Sequence, residues 1–173
     1  RTMSGDFSGK RVLLTGGSRG IGRATVLEFA KRGANVAFTY ASSAESAEAV
    51  RVEAETYGVT AMAIQSDVSD FEAAKALVAS VKEAFGGIDV LVNNAGIVRD
   101  KLILQMTESD WDEVMQTNLK GVFNITKHAA GVMVKQRKGR IVNIGSISGV
   151  AGFAGQTNYS ASKAALGGFT KAL

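Results

Sequence analysis

The sequence predicts an α/β domain in which a parallel β-sheet is covered by helices on both faces. Short apolar runs alternate with segments of ten or more residues in which apolar side chains recur at helical spacing. Glycines end several of those helical segments. Polar or glycine-rich clusters follow the strands, at what becomes one edge of a parallel sheet. We therefore expect right-handed crossover connections and a single domain over residues 1–173.

Five strands are predicted from apolar runs bounded by glycine or polar residues: 10–15, 35–40, 60–65, 88–92 and 140–144. The third helix, which Asp70 is expected to cap, has the clearest helical period, in Phe71, Ala74, Val78, Val81 and Phe85. The second helix is expected to begin after the cap Ser43 and to turn four side chains inward, namely Ala47, Val50, Ala54 and Tyr57.

A long helical region is predicted to begin at a cap formed by residues 107–110. Asn118 lies within it, although asparagine competes for backbone hydrogen bonds in a helix interior. Either a local kink frees its polar groups, or the position is simply exposed. Residues 145–158 are predicted to form a glycine- and serine-rich loop, and the last helix is expected to begin near Tyr159.

The composition excludes several classes of function. The chain has no cysteine, so it has no disulfide, thiol nucleophile or thiolate metal site. His128 is the only histidine, and no metal site is predicted. The net charge of +4 suits a small polyanionic ligand or an acidic partner better than nucleic acid. No apolar run reaches the ~18 residues of a membrane span, and no signal sequence opens the chain, so we expect a cytoplasmic protein.

The loop after the first strand is rich in glycine and leads into a helix. Gly16 permits a tight turn, Gly20 lets the backbone approach a pyrophosphate, and Gly22 lets the helix pack closely on the strand. The N-terminus of that helix offers free N–H groups to an anion. The spacing differs from the common G-x-G-x-x-G, and glycines also serve plain packing. The strand before the loop and the helix after it favour dinucleotide binding.

The residues at the next two strand ends bear on the choice of cofactor. An acidic residue after the second strand would bind the ribose 2′-OH and favour NAD. Tyr40 stands there, and no acidic residue follows until Glu45. Arg19 is either placed to meet a 2′-phosphate or is a solvated loop residue. These positions favour NADP(H). Asp67 either accepts a hydrogen bond from the adenine amino group or stabilises a turn.

Tyr159 and Lys163 are four residues apart, so they share one face of a helix. A phenol is a poor acid at neutral pH, and an ammonium group one turn away favours the phenolate form. The pair is therefore a candidate proton donor. Ser146 follows the fifth strand and lies at the same predicted edge of the sheet as the other polar clusters.

Together these residues resemble the short-chain dehydrogenase/reductase family. The motifs occur in the family's order over essentially the whole chain, and Ser146 precedes Tyr159 by thirteen residues. They are Thr15–Gly22, Asp67-Val68, Asn93–Gly96, Asn118, Ser146 and Tyr159-x-x-x-Lys163. The resemblance implies a Rossmann-type doubly wound sheet. Family members continue through further strands, so we expect this sequence to stop before the last strands of that fold.

Within the family, three segments look most like 3-oxoacyl-[acyl-carrier-protein] reductases: 93–100, 116–121 and 155–160. This implies NADPH-dependent reduction of 3-oxoacyl thioesters in fatty acid synthesis, with a catalytic set of Asn118, Ser146, Tyr159 and Lys163. Cofactor contacts are implied for Gly16, Ser18, Arg19, Gly20, Ile21, Gly22, Tyr40, Asp67, Val68, Asn94, Ala95, Gly96, Tyr159 and Lys163.

The resemblance also implies a role for each catalytic residue. Tyr159 gives its proton to the developing alkoxide, and Ser146 hydrogen-bonds the same oxygen. Lys163 holds the nicotinamide ribose and favours the phenolate. Asn118 holds a water that resupplies the proton through Lys163.

The partners implied by the resemblance are an acyl-carrier-protein thioester and further copies of the chain, as a tetramer in the complete protein. No nucleic acid or membrane partner is expected. The basic run 135–140 is either a solvated helix end or a docking site for the acidic carrier, with Arg137 as the candidate residue. Two other functions remain open: reduction of another ketone, such as acetoacetyl-CoA, a steroid or a sugar, and nucleotide binding without catalysis.

Overall fold

A parallel five-stranded sheet forms the centre of the computed structural model, which describes residues 6–173. Residues 1–5, at the start of the predicted domain, lie outside the described residues. The strands are β1 (Arg11–Leu14), β2 (Asn35–Tyr40), β3 (Ala61–Gln65), β4 (Val90–Asn93) and β5 (Arg140–Asn143). Their order is β3-β2-β1-β4-β5, with every neighbouring pair parallel. The predicted Rossmann-type sheet is confirmed, and its order reverses beside β1, where such folds bind ligands.

Helices cover both faces of this sheet. They are α1 (Gly20–Lys31), α2 (Ala44–Glu55), α3 (Phe71–Phe85), α4 (Glu108–Met115), α5 (Gly121–Gln136), α6 (Ser148–Ala151) and α7 (Thr157–Ala172). A π turn, Gln116–Lys120, joins α4 to α5 without a break. In this turn the N–H of Gly121 donates to the carbonyl of Gln116, five residues back instead of the four of an α-helix.

Alternate residues of β1 belong to two separate hydrophobic layers. Val12 and Leu14 pack with the buried side chains of α1 and α2, whereas Leu13 packs with those of α3 and α5. All three are fully buried. Burying each such side chain contributes roughly 1.5–3 kcal/mol. Strands buried on both faces are apolar at every position, which explains the continuous apolar run seen in the sequence.

The predicted helix caps are confirmed at two of three positions. Asp70 Oδ1 accepts a hydrogen bond from the N–H of Ala73 at 2.9 Å. Thr107 and Asp110 form a reciprocal capping box at the start of α4. Ser43 occupies the N-cap position of α2, but its side chain makes no capping hydrogen bond. Each capping side chain satisfies an N–H group that the helix itself leaves unpaired.

Two expectations about local structure are wrong. Tyr57 is 44% exposed instead of facing inward, because α2 has already ended and the chain turns through Gly58 at φ +80°. Part of the predicted loop 145–158 forms the short helix α6. The last helix starts at Thr157, near Tyr159 as predicted.

The fourth strand starts later than its apolar run. The N–H of Ile88 donates to Gln136 Oε1 at 3.0 Å, and the Ile88 carbonyl accepts from Gln136 Nε2 at 2.7 Å. A side chain at the end of α5 thus satisfies this backbone, and strand pairing begins only at Val90.

Within residues 6–173, no helix is long and apolar enough to cross a membrane. The same part of the chain contains no group of three or more His, Asp or Glu side chains arranged to hold a metal ion.

Gly22→Ala should unfold the protein or destabilise it by more than about 4 kcal/mol. The added Cβ would lie 1.8 Å from the Gly16 carbonyl oxygen, so α1 would have to move off β1. Urea denaturation measures the effect. The matched control is Gly131→Ala in α5, where a Cβ meets nothing within 4 Å. This substitution should raise the free energy of unfolding by up to about 1 kcal/mol. Equal stability of Gly22→Ala and the parent would contradict the close contact.

Candidate cofactor and active site

The loop between β1 and α1 is shaped by two close backbone approaches. Gly16 has φ +75°, and its N–H donates to Thr39 Oγ1 at 3.1 Å. Gly22, in the first turn of α1, lies so near the Gly16 carbonyl that only glycine fits. The N-terminus of α1 therefore opens directly at the end of β1. Its unpaired N–H groups and the positive end of its dipole suit a phosphate group.

Asn94 and Thr15 join the ends of the two central strands where the strand order reverses. Asn94 Nδ2 donates to the carbonyl oxygens of Thr15 at 3.1 Å and Gly16 at 2.9 Å. In return, Thr15 Oγ1 accepts from the N–H groups of Asn94 at 3.1 Å and Ala95 at 3.0 Å. These four hydrogen bonds hold the glycine loop against the segment after β4.

A cleft of about 880 Å³ lies outside the carboxyl ends of β1 to β4. This volume falls in the range of roughly 300–1,000 Å³ that is common for cofactor and ligand sites. The cleft is lined by every residue predicted to contact the cofactor except Tyr159 and Lys163: Gly16, Ser18, Arg19, Gly20, Ile21, Gly22, Tyr40, Asp67, Val68, Asn94, Ala95 and Gly96. Sequence reasoning missed further lining residues, among them Thr39, Ser42, Gln65 and Thr117.

Asp67 and Val68 line the cleft in different ways. Asp67 Oδ1 accepts from the N–H of Ser69 at 2.9 Å and from its hydroxyl at 2.7 Å, so this carboxylate stabilises the turn after β3. The Val68 side chain is 6% exposed and packs in the core layer beneath α3 and α5. Asn124 Nδ2 donates to the Val68 carbonyl at 3.0 Å. The turn is thus fixed from both sides.

Asn118 is fully buried in the π turn, so the expectation of an exposed position is excluded. Its Oδ1 accepts from the N–H of Ile97 at 2.8 Å. Its Nδ2 donates to the Ile97 carbonyl at 2.9 Å and to Ser162 Oγ at 3.2 Å. A Cβ on Gly96 would lie 3.4 Å from Asn118 Oδ1 and 3.6 Å from Lys163 Nζ. Gly96 lines the cleft, so two of the four predicted catalytic side chains, Asn118 and Lys163, lie next to a cleft residue.

Lys163 is buried below Tyr159 on α7. Its side chain points back along the first turn, with Nζ 5.9 Å from the centre of the Tyr159 ring. Lys163 Nζ donates to the Ile144 carbonyl at 2.7 Å, at the end of β5. Because burial disfavours the charged ammonium, the pKa of Lys163 is lowered.

Ser146 is half-buried in the segment between β5 and α6. Its Oγ accepts from the N–H of Ser148, at the start of α6, at 3.1 Å. In Gly149 of the same helix, a Cβ would meet the backbone of Ala164 at 2.7 Å. The segment that carries Ser146 is therefore packed directly on the helix that carries Tyr159 and Lys163.

Arg137 and His128 lie away from this site. Arg137 is exposed at the C-terminal cap of α5, with a left-handed φ of 54°. Helix α5 is about 24 Å long, at 1.5 Å per residue. Asn118 comes before its first residue and Arg137 follows its last. Arg137 is therefore far from Asn118, at the edge of the sheet where the strands begin. His128 of α5 contacts the ring of Phe71 of α3, with ring centroids 4.7 Å apart, so it packs between these two helices.

Sequence reasoning missed two buried polar residues beside the predicted proton donor, Asn158 and Ser162, both 0% exposed. Asn158 Nδ2 donates to the carbonyl oxygens of Arg99 and Asp110, each at 3.0 Å. Polar residues are common at helix starts, so sequence spacing alone offered no signal that these two are buried and bonded to distant segments.

The sheet, the glycine loop and the strand-end cleft define a nucleotide-binding α/β domain. The family model for short chain dehydrogenases matches residues 10–173, and the chain belongs to that family. A similar relative is the 3-oxoacyl-[acyl-carrier-protein] reductase FabG of Staphylococcus aureus, which is 51% identical over 162 residues. That alignment covers 94% of this chain and 66% of the relative, so the chain spans just under two thirds of that protein.

Two solved structures are similar throughout the fold. A short chain dehydrogenase from Burkholderia cenocepacia, in complex with NADP, has a TM-score of 0.89 and 44% identity, covering 96% of this chain and 67% of that one. An NAD+-bound xylitol dehydrogenase has a TM-score of 0.93 and 34% identity, covering 96% and 64%. The fold therefore occurs with either nicotinamide cofactor.

Lys163→Met should change how stability depends on pH. Because burial lowers the pKa of Lys163, the unfolded chain binds more protons between that value and the ordinary ~10.4, and the parent gains stability as pH rises through this window. Methionine does not titrate. As pH rises through this window, the free energy of unfolding of the parent should therefore increase relative to that of Lys163→Met. Urea denaturation without cofactor measures both values.

The matched control is Lys171→Met, at an exposed lysine on the same helix, which should follow the parent at each pH. A difference between the parent and Lys163→Met that stays constant with pH would contradict the effect of burial.

Proposed function

We propose that this chain carries the cofactor and catalytic residues of an NADPH-dependent reductase of 3-oxoacyl thioesters on acyl-carrier protein. One observation supports it above all. Gly96, which lines the strand-end cleft, lies next to Asn118 and to Lys163, and Lys163 is on the same helix as Tyr159. The relative named 3-oxoacyl-[acyl-carrier-protein] reductase favours this substrate class.

The residues present fit a nicotinamide dinucleotide. Gly16 and Gly22 allow the start of α1 to pack directly on the end of β1, and both line the cleft at the N-terminus of α1, which suits the pyrophosphate. In the proposal, Asn94 to Gly96 and Lys163 hold the nicotinamide half, and Asp67 and Val68 the adenine. When bound, the reduced nicotinamide supplies hydride to the β-keto carbon of the substrate.

The chain's own residues handle the proton in this proposal. Tyr159 donates its phenolic proton to the oxygen as negative charge develops there. Ser146 donates a hydrogen bond to the same oxygen and orients it. The Lys163 ammonium favours the phenolate left behind. Because Ile97 and Ser162 already bind the Asn118 side chain, a water that resupplies the proton would be held by the backbone of its π turn.

Two positions favour NADP(H) over NAD(H). Tyr40 ends β2 where an acidic side chain would bind the ribose 2′-OH, and Tyr40 and Arg19 both line the cleft. The guanidinium of Arg19 is exposed and can pair with a 2′-phosphate. Such a pairing would be absent with NADH, whose adenosine ribose carries no phosphate.

For the carrier protein, Arg137 is the proposed docking residue, and the complete protein is proposed to be a tetramer. Arg137 lies at the opposite edge of the sheet from Tyr159. A carrier that docks on Arg137 would therefore present its thioester to the site of a neighbouring copy. Reduction of another ketone is the alternative, which similarity to a xylitol dehydrogenase structure keeps open.

Tyr159→Phe should lower kcat for acetoacetyl thioester reduction by at least about 100-fold, the usual contribution of a general acid. NADPH binding should change little, because the ring and its backbone contacts stay in place. The assay follows NADPH absorbance in the full-length protein. The matched control is Tyr57→Phe, at the exposed tyrosine after α2, which should turn over like the parent. Turnover by Tyr159→Phe at the parent's rate would exclude it as the acid.

Arg19→Ala should weaken NADPH binding by about 10-fold or more and leave NADH binding nearly unchanged, since only NADPH offers a phosphate for the guanidinium. Fluorescence titration with each cofactor measures both constants. Arg23→Ala is the control, because Arg23 pairs with Glu53 and does not line the cleft. Equal binding of the two cofactors by the parent would contradict the NADP(H) preference.

A further inference from the structure

Two buried side chains on α7 hold the backbone of Tyr159 from both sides. The Tyr159 N–H donates to Asn158 Oδ1 at 2.8 Å. The Tyr159 carbonyl accepts from Ser162 Oγ at 2.7 Å. Asn158 and Ser162 are both 0% exposed. Tyr159 is thus the one residue of this turn that both buried side chains contact through its backbone.

Asn158 also connects α7 to two other elements. The N–H of Tyr159 is among the first N–H groups of α7, which have no partner inside the helix. The N-cap residue Gln156 makes no capping hydrogen bond, so Asn158 satisfies this N–H. Its two amide hydrogens go to the carbonyls of Arg99 and Asp110. A carboxamide is suited to this place because it accepts one hydrogen bond and donates two.

Ser162 completes a closed ring of hydrogen bonds. Its Oγ accepts from Asn118 Nδ2, and Asn118 holds both backbone polar groups of Ile97. Ile97 and Arg99 are two residues apart on the segment after β4. The ring therefore runs through Ile97, Asn118, Ser162, Tyr159, Asn158 and Arg99, and returns along the chain to Ile97.

We propose that Asn158 and Ser162 are positioning residues for Tyr159, an inference that rests on the proposed role of Tyr159 as proton donor. The ring fixes the first turn of α7 against the π turn and the segment next to Gly96. It therefore sets where the turn that carries the phenol lies relative to the cleft. Such placement matters because a misplacement of about 1 Å can cost about 100-fold in rate.

The experiment compares Asn158→Leu and Ser162→Ala with the parent in the full-length protein. Asn158→Leu should lower kcat by about 100-fold and Ser162→Ala by about 10-fold, with KM and NADPH affinity within about threefold. The stoichiometry of bound NADPH corrects for any unfolded fraction. The matched control is Gln156→Ala, which removes a hydrogen bond to Asp100 between the same two segments and does not touch Tyr159. Its kcat should equal that of the parent.

A second readout needs no substrate. The chain has three tyrosines, so 3-fluorotyrosine labelling produces a simple ¹⁹F spectrum in which Tyr159→Phe assigns the Tyr159 resonance. That resonance should shift or broaden in Asn158→Leu and Ser162→Ala and stay unchanged in Gln156→Ala. An unchanged resonance in both variants, or a moved resonance with parental kcat, would overturn the inference. A moved resonance in a protein that never reduces thioesters would refute the proposed function and uphold the positioning.

Discussion

The contact between α1 and the Gly16 carbonyl is the constraint on which the cofactor cleft depends. A helix that starts this close to the end of a central strand directs its unpaired N–H groups at whatever lies outside the sheet edge. Glycine at position 22 removes the steric obstacle, and the Asn94 side chain satisfies the Gly16 carbonyl that faces it. The same asparagine joins the segment after β4 to the end of β1, so this segment and the glycine loop form one hydrogen-bonded unit at the cleft.

The catalytic side of the site depends on a second set of buried polar contacts. The π turn places Asn118 where a regular helix would continue, and its amide reaches both Ile97 and Ser162. An unpaired buried amide costs on the order of 1–3 kcal/mol, which explains why each polar atom of this side chain has a partner. The outcome is a rigid connection between the segment after β4 and the helix that bears Tyr159.

Lys163 has a buried ammonium group that the proposed reaction uses in its charged form. Its ammonium lies in a buried position, where the only side-chain hydrogen bond within the described residues goes to a backbone carbonyl of Ile144. Burial favours the neutral amine, whereas the proposed chemistry uses the cation beside a phenolate. Perturbed lysines of this kind are typical of functional sites, because a purely structural lysine would extend its charge into water. The fold therefore tolerates an unfavourable charge at the place where the proposed reaction needs one.

The sequence alone determined the order of the five strands and of the long helices between them, since apolar period and glycine position are local properties. It also located the cleft, because parallel strands bring their carboxyl ends to one edge, and it identified the motif residues that line it. Only the tertiary structure decided three features: the π turn at Asn118, the start of β4 at Val90 where Gln136 binds the backbone of Ile88, and the ring through Asn158 and Ser162. The contacts between elements join residues 21 to 59 positions apart. No local pattern encodes such partners, because a buried amide is satisfied by whichever backbone the packed fold brings beside it.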